Sequence, residues 1–388
     1  MKLTGVAAIE SGILNRGEGL GNSATAKKTA FIDGMKVYCS PPAYKASIWT
    51  NLIEKGKFNK PLIPYSKLSK IDDKVVVQRT GTIVESEEVD LGGTMLANNA
   101  QGFSYKREGA FTVDNLISIN SYLGDMDFIT NGRIASIHGV KNQIVNREMF
   151  YGLYVCNFVL EIDRVGIQLI HENYFQKNDE TAQEEPQGES QDKKKKNKKP
   201  KVSQVNKELF TSSSNNVEKL VELYRLCLPE ETDDTREAIA RKYIDRVERI
   251  YYSEKLKSVV IILTKEERIR RIKELLITMG ELGRRMEGSY RNLVPSWVAM
   301  SLDYQFPKYY IEAKNVLSKQ VREGYLDFDE LTNDILQFVE NDKFDEKDQK
   351  TIYIATPKNY TDTVKRIMER IEEHIDSYEF DEDALWRF

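Results

Sequence analysis

Asn15, Arg16, Lys27 and Lys28 flank three glycines, Gly17, Gly19 and Gly21, set at every second position, and Asn22 closes the run. Glycine carries no Cβ, so backbone amides there can approach a bulky anion closely while the neighbouring cations supply counter-charge. The chemistry this suggests is contact with phosphates. A dinucleotide-binding turn is a different pattern, G-x-G-x-x-G opening straight into a helix, and here Asn22-Ser23-Ala24-Thr25 intervene. The glycines also suit a tight turn, an alternative that the residues alone leave open.

A second basic and glycine-rich stretch lies far away at Gly283-Arg284-Arg285-Met286-Glu287-Gly288-Ser289-Tyr290-Arg291. Arginine forks bind phosphodiesters and an aromatic ring stacks on bases, so Arg284, Arg285, Arg291 and Tyr290 repeat the nucleic-acid theme. Arg284 and Arg285 have another use open to them, as partners for the last carbonyls of a preceding helix. Lys106 and Arg107, beside Phe103 and Tyr105, pair charge with rings once more. Other chemistry is sparse. His138, His171 and His374 stand apart from one another and from any cysteine pair, so no metal site and no bound cofactor are expected. There is no G-x-S-x-G elbow, P-loop or H-E-x-x-H, and no catalytic residue is assigned. Asp33, Asp125 and Asp127 are the carboxylates one would nominate for metal-assisted strand cleavage, although Asp33-Gly34 is also an ordinary turn pair.

The elements that must hold these residues alternate early and turn helical later. An apolar run from Leu3 to Ile9 predicts a strand leading into the first loop; Pro42 to Lys55 predicts a helix with Ile48, Trp49, Leu52 and Ile53 on one stripe. Short strands are expected at Val75–Val77, Phe111–Val113 and Leu116–Ile119. The span Glu85 to Arg107 has no helical period and reads as a protruding loop or hairpin. Phe150 to Ile162 reads as a strand pair or one long buried strand. Residues 176–201 hold almost no apolar side chain, and we read them as a disordered insertion. Beyond lie helices at Val217–Cys227 and Thr235–Ile250, a capping box at Thr264-Lys265-Glu266-Glu267 with the helix it opens, and a strand within Leu293–Leu302. Helices at Tyr310–Arg322 and Phe328–Val339, a strand at Lys350–Ala355 and a helix at Thr361–Ile375 close the chain. Strands scattered among helices without regular alternation argue an α+β class.

The 388 residues are 40% hydrophobic, enough for one large or two modest domains. Cys39, Cys156 and Cys227 are odd in number and widely spaced, which fits a reducing cytosol better than a disulfide framework. No signal sequence or membrane span is expected, so the cytoplasm is the expected location. Charge is polarised: residues 1–80 hold 13 basic against 6 acidic side chains, while residues 321–388 hold 9 against 19. A basic N-terminal part suits phosphates, and opposite ends of opposite sign also suit head-to-tail association into an open filament.

Several segments together resemble one family. GVAAIESGILNRGEGLGN from Gly5, CSPPAYKASIW from Cys39, DLGGTM at 90–95, KREGAFTVDNLISIN at 106–120, FVLEIDRVG at 158–166 and GRRMEGSYRNLVPSW from Gly283 are similar to the DevR-type backbone subunits of type I-B CRISPR Cascade complexes, in the RAMP superfamily. Lys45 stands where the family pattern has an arginine, and Gly92 where it has a phenylalanine. The resemblance implies an RRM-like (ferredoxin-like) palm with helical fingers and a β-hairpin thumb, polymerising along a crRNA. It implies RNA contacts from Asn15, Arg16, Gly17, Gly19, Asn22, Lys27, Lys28 and Lys45 on the palm, from Lys106 and Arg107, and from Arg284, Arg285 and Arg291 on the glycine loop. Met95 or Leu96 would be the thumb's apolar wedge.

Laid along the chain, the implied plan is a first palm part at 1–84, the thumb at 85–110 and palm strands at 111–175. The charged insertion at 176–201, a helical region with the glycine and arginine loop at 202–292, and palm completion with acidic helices at 293–388 follow. Implied partners are the crRNA, target DNA, further copies of the chain, a large subunit, a crRNA 5'-end-capping subunit and a crRNA-processing endonuclease, and no membrane. Such a subunit is not an enzyme. Two other classes stay open: a backbone of the type III kind that cleaves target RNA with Asp33 and a metal, and a helical interaction scaffold with incidental basic loops.

Overall fold

The computed structural model describes residues 1–17, 23–60, 69–71, 74–76, 81–98, 103–142, 144–172, 207–211, 215–228, 231–286, 288–302, 307–341, 351–378 and 381–382. The expected insertion at 176–201 lies outside them. The fold is α+β with mainly antiparallel sheets, and it divides into two compact units. The first comprises Met1–Asn59, Ala110–Val165 and Arg268–Glu379; the second comprises Lys60–Gly109, Gly166–Glu267 and Phe380–Phe388. No helix among the described residues is long and apolar enough to cross a membrane.

The first unit is built around strand β1 (Lys2–Gly12). After it come β2 (Ser23–Ala24), the hairpin β3 (Lys28–Phe31) and β4 (Gly34–Cys39), and helix α1 (Pro41–Glu54). Strands β5 (Phe111–Val113) and β6 (Leu116–Ser118) follow, then β7 (Met126–Thr130), the short helix α2 (Gly132–His138), β8 (Ile144–Glu148) and the long β9 (Tyr151–Glu161). Helix α3 (Lys265–Met279) leads to the hairpin β10 (Gly283–Met286) and β11 (Ser289–Asn292), then β12 (Trp297–Ser301), α4 (Tyr309–Glu323), α5 (Phe328–Asn341), β13 (Ile352–Ala355) and α6 (Tyr360–Ser377).

The main sheet has the order β13-β12-β1-β9-β6-β4-β3, with β5 also paired to β9. β1 is sandwiched: all eleven of its residues pair with β9, and Thr4 to Ala8 pair with β12 on the other side. A strand buried on both faces must be apolar throughout instead of alternating, which explains the run Val6-Ala7-Ala8-Ile9. One face is covered by α4 and α5, where Val6, Val155 and Ala299 meet Tyr309, Leu317 and Ile335. The other carries the Phe158 ring, which lies over Gly5 and is followed by Phe111 and Trp49 of α1 in an aromatic row. A Cβ on Gly5 would come within 2.2 Å of that ring, so glycine is required there by contact. Beside this sheet, β8 pairs antiparallel with β7 and parallel with β2.

In the second unit Ser258–Leu263 lies between Ile167–His171 and Val247–Ser253, and helices Asn216–Cys227 and Asp233–Tyr243 pack with it around Leu220, Leu223, Ile250 and Ile261. Two readings need correction here. The helix expected over Thr235–Ile250 stops at Tyr243, because Val247, Ile250 and Tyr252 are β-branched or aromatic and find a strand partner in Ser258–Leu263. The span Glu85–Arg107 is not irregular: Ser86 caps a helix over Glu87–Gly92 by accepting from the Val89 N–H, and Gly93–Asn98 then pairs with Phe103–Glu108. Residues 85–91 are buried, so a hairpin is found only in the second half of that span.

A candidate nucleic-acid interface

β1 delivers the first loop by ending where the chain becomes half-exposed, after Ile13 and Leu14. The two arms of the loop then zip together. Gly17 N–H donates to Thr25 O at 2.9 Å, Lys27 N–H to Asn15 O at 3.0 Å, and Arg16 bridges Ala26. A Cβ on Gly17 would sit 3.0 Å from the Thr25 hydroxyl, so this glycine serves the closeness of the arms. Gly19 and Asn22 lie outside the described residues.

The second basic and glycine-rich stretch is the regular hairpin β10–β11. Its register puts Arg284 opposite Arg291 on one face and Arg285 opposite Tyr290 on the other. The first face meets the end of β1: Arg284 Nη1 donates to Leu14 O at 3.1 Å, and the Arg291 guanidinium lies 3.1 Å from where a Cβ on Gly12 would stand. Arg284 therefore satisfies a strand-end carbonyl and not the carbonyls of α3. Arg291 Nε is buried with no hydrogen-bond partner among the described residues. On the second face Arg285 is exposed and Tyr290 is 68% exposed. Asn51 of α1 fixes the hairpin by donating to Gly283 O at 2.8 Å.

Two buried groups register this convergence of charge. Burial pushes the Cys39 thiol up to about 12, against the pull of Arg284 and Lys27. Burial also raises the Tyr154 hydroxyl, against Arg291 and Arg16. Each group thus feels one cation from the first loop and one from the distant hairpin. Lys27 itself has no ion pair among the described residues.

Helix α1 starts at the same place. Asn15 Nδ2 donates to Ser40 Oγ at 3.0 Å, and Ser40, the N-cap, makes no side-chain cap bond. Pro41 and Pro42 have no N–H, which removes two of the first-turn amides that would otherwise lack partners, and no acidic side chain occupies that turn. The positive end of the helix dipole therefore adds to the cations.

Other residues expected to contact RNA have partners within the protein. Lys28 forms an ion pair with Glu148 and lies 4.4 Å from the centre of the Tyr122 ring. Lys45 Nζ donates to Phe111 O at 3.3 Å, tying α1 to β5. In the second unit Lys106 is exposed and pairs with Glu108 at 3.0 Å. Arg107 is 9% exposed; it binds Asp90 at 2.7 Å and the carbonyls of Val89 and Ile167, so it closes the C-terminus of helix Glu87–Gly92 instead of facing solvent. Met95 and Leu96 lie on the strand Gly93–Asn98.

The carboxylates are not brought together. Asp33 pairs with Lys36 at 2.8 Å, and that hydrogen bond holds its carboxyl below the ordinary value. Asp125 accepts from the Met126 N–H, and Asp127 pairs with Arg147. Among the described residues no group of three His, Cys, Asp or Glu side chains could hold a metal ion. Sequence reading missed Glu148 and Tyr122, and it passed over the segment from β7 to β8. That segment exposes Phe128, Ile134, Ile137 and Val140, each more than half accessible, an apolar surface that solvent alone does not favour.

Fold and site together define an α+β protein whose central strand ends in a two-part cationic surface. The chain belongs to the family described as "CRISPR-associated negative auto-regulator DevR/Csa2", which matches residues 3–321. Among solved structures it is similar to a chain of a "CRISPR RNA-guided surveillance complex", at 10% identity and a TM-score of 0.43, with 95% of this chain and 99% of that one covered. A second such chain, from a "CRISPR RNA-guided surveillance complex, pre-nicking", gives 9% identity and a TM-score of 0.49, with 96% and 100% covered. No curated protein matches.

Proposed function

We propose that this chain is a non-catalytic crRNA-binding backbone subunit of a type I-B Cascade complex, which polymerises along the guide RNA and presents it for pairing with target DNA. The observation that carries this reading, within a CRISPR-associated family, is the meeting of Arg16, Lys27, Arg284 and Arg291 with the N-terminus of α1 at the end of β1. Four cations and a helix dipole, with no cluster of carboxylates among the described residues, suit a polyanion that is held and not cut.

The palm in this proposal is the main sheet. The succession β1, α1, β5–β6, β9, α3, β12 and the spatial order β12-β1-β9-β6 support the RRM-like palm of this proposal. Its flat faces are covered, one of them by α4 and α5, so RNA would be held at the strand end and not across the sheet. For the thumb we favour the β7–β8 segment over the hairpin carrying Met95 and Leu96, because it interrupts the palm between β6 and β9 and exposes apolar side chains suited to wedging against bases. The second unit would supply the fingers. The large subunit, the 5'-end-capping subunit and the processing endonuclease would be the partners at the ends of the filament, in the cytoplasm.

The test is the mass and nucleic-acid content of the purified protein with and without co-expressed repeat-spacer RNA. A large particle carrying RNA of defined length supports the proposal, and an RNA-free monomer in both preparations refutes it. Magnesium-dependent cuts abolished by Asp33→Asn would turn the reading to a target-cleaving backbone.

A further inference from the structure

Glu148 ends β8 and is 9% exposed, yet it touches both arms of the first loop. Its carboxylate accepts the Ala26 N–H at 2.6 Å and takes the Lys28 ammonium as an ion pair. Its backbone carbonyl accepts Arg16 Nη1 at 2.8 Å. The Tyr122 ring lies beneath Lys28, and its hydroxyl donates to Asp125 O at 3.3 Å. Arg16 and Ala26 are bridge partners across the loop stem, so one residue grips the stem from both sides. The parallel pairing of Ser23 and Ala24 with Asn146 and Arg147 sets the loop in register with the same strand.

We infer that Glu148 is the positioning residue of the RNA-binding loop: its carboxylate fixes the returning arm, and with that arm Arg16, which is bridged to it at Ala26 and rests on the Glu148 carbonyl, and it withholds Lys28 from phosphates. This rests on the RNA-binding reading above. Ala26 is 4% exposed, so its N–H has no solvent to turn to if the carboxylate is removed. Burial opposes the charge on Glu148, but the Lys28 and Ala26 hydrogen bonds outweigh it and keep the carboxyl below its ordinary value, consistent with a permanent anion at this place. Lys28 is a cation already neutralised, and adding it to a count of phosphate contacts overstates that count.

The experiment measures binding of a labelled single-stranded RNA across a salt series for the full chain and its variants. Glu148→Ala is expected to weaken binding about tenfold, and the double variant with Arg16→Ala to bind about as weakly as Arg16→Ala alone, since residues acting as one unit are not additive. Glu148→Gln keeps an acceptor for Ala26 and is expected to lose less. Lys28→Met should leave the salt slope unchanged. Unaltered binding by Glu148→Ala and Glu148→Gln, additive losses in the double variant, or a shallower slope for Lys28→Met would each overturn the inference while Arg16→Ala still weakens binding. Failure of the unmodified chain to bind RNA would instead remove the RNA reading itself, and this inference with it. Thermal melting of each variant separates a folded loop defect from an unfolded protein, and Glu148→Gln carries the test if Glu148→Ala does not fold.

Discussion

Arg284 gives one guanidinium nitrogen to the Leu14 carbonyl and is half-exposed, whereas Arg107 is ringed by carbonyls and Asp90. Their substitution should separate function from stability. Arg284→Ala is expected to leave the fold intact and to make the log–log salt slope of RNA binding shallower by about 0.7, the value of one phosphate contact on a single strand. Arg107→Ala should not change that slope, but it strands Asp90, which is fully buried, and is expected to cost about 3–5 kcal/mol in denaturant unfolding. Glu85 in the second unit gives a pH signature. Burial raises its carboxyl above the ordinary 4.5 despite hydrogen bonds from Thr82 and Tyr224. A group raised in the folded state stabilises below its unfolded value and loses that contribution as pH rises through the folded value. Denaturation midpoints of the wild type should therefore fall relative to Glu85→Gln as pH climbs from about 4 through the raised value. At this scale sequence legibility was uneven. Residue type and glycine spacing nominate Arg16, Arg284, Lys28 and Arg107 alike for phosphates, and only the fold shows that Lys28 and Arg107 meet carboxylates, Glu148 and Asp90.

The hairpin β10–β11 and the strand β1 show what elements add to residues. Apolar period and caps placed α1 and α4 to within a residue or two and β1 within three, because their signals are local. The hairpin was unreadable as such: its strands are four residues long, polar, and paired only with each other. Two glycine substitutions test how these elements are held. A Cβ on Gly283 would overlap the Tyr290 hydroxyl at 1.7 Å, and that exposed ring can swing away. Gly283→Ala should thus barely alter thermal stability while weakening RNA binding, as melting curves and titration of a labelled RNA would show. Gly5→Ala meets the fully packed Phe158 ring, which has no such exit. It should cost about 1–3 kcal/mol in chemical denaturation, the range for an overpacked core.

Over the whole molecule, the α+β class followed from strands scattered among helices, whereas the division into two units did not follow from any linker. Each unit is assembled from separated stretches of chain, so its boundary is set by tertiary contacts that no local composition announces. The apolar surface between β7 and β8 went unread for a related reason. Its isoleucines and phenylalanine would pass for core until burial is known. Replacing Phe128 and Ile137 together by Asp is expected to shrink RNA-bound particles in sedimentation, with the affinity of a single chain for a short RNA unchanged. Equal particle sizes would separate that surface from assembly.

The pairing of β1 with β9 along its whole length has a mechanical meaning. The first loop is a direct continuation of β1, so a strand of RNA drawn taut across it pulls along the strand axis. Such a load falls on many ladder hydrogen bonds at once, in shear, and cannot peel them open one after another. On the proposed reading, a guide stretched between its neighbours would be moored to a strand that is paired along its whole length.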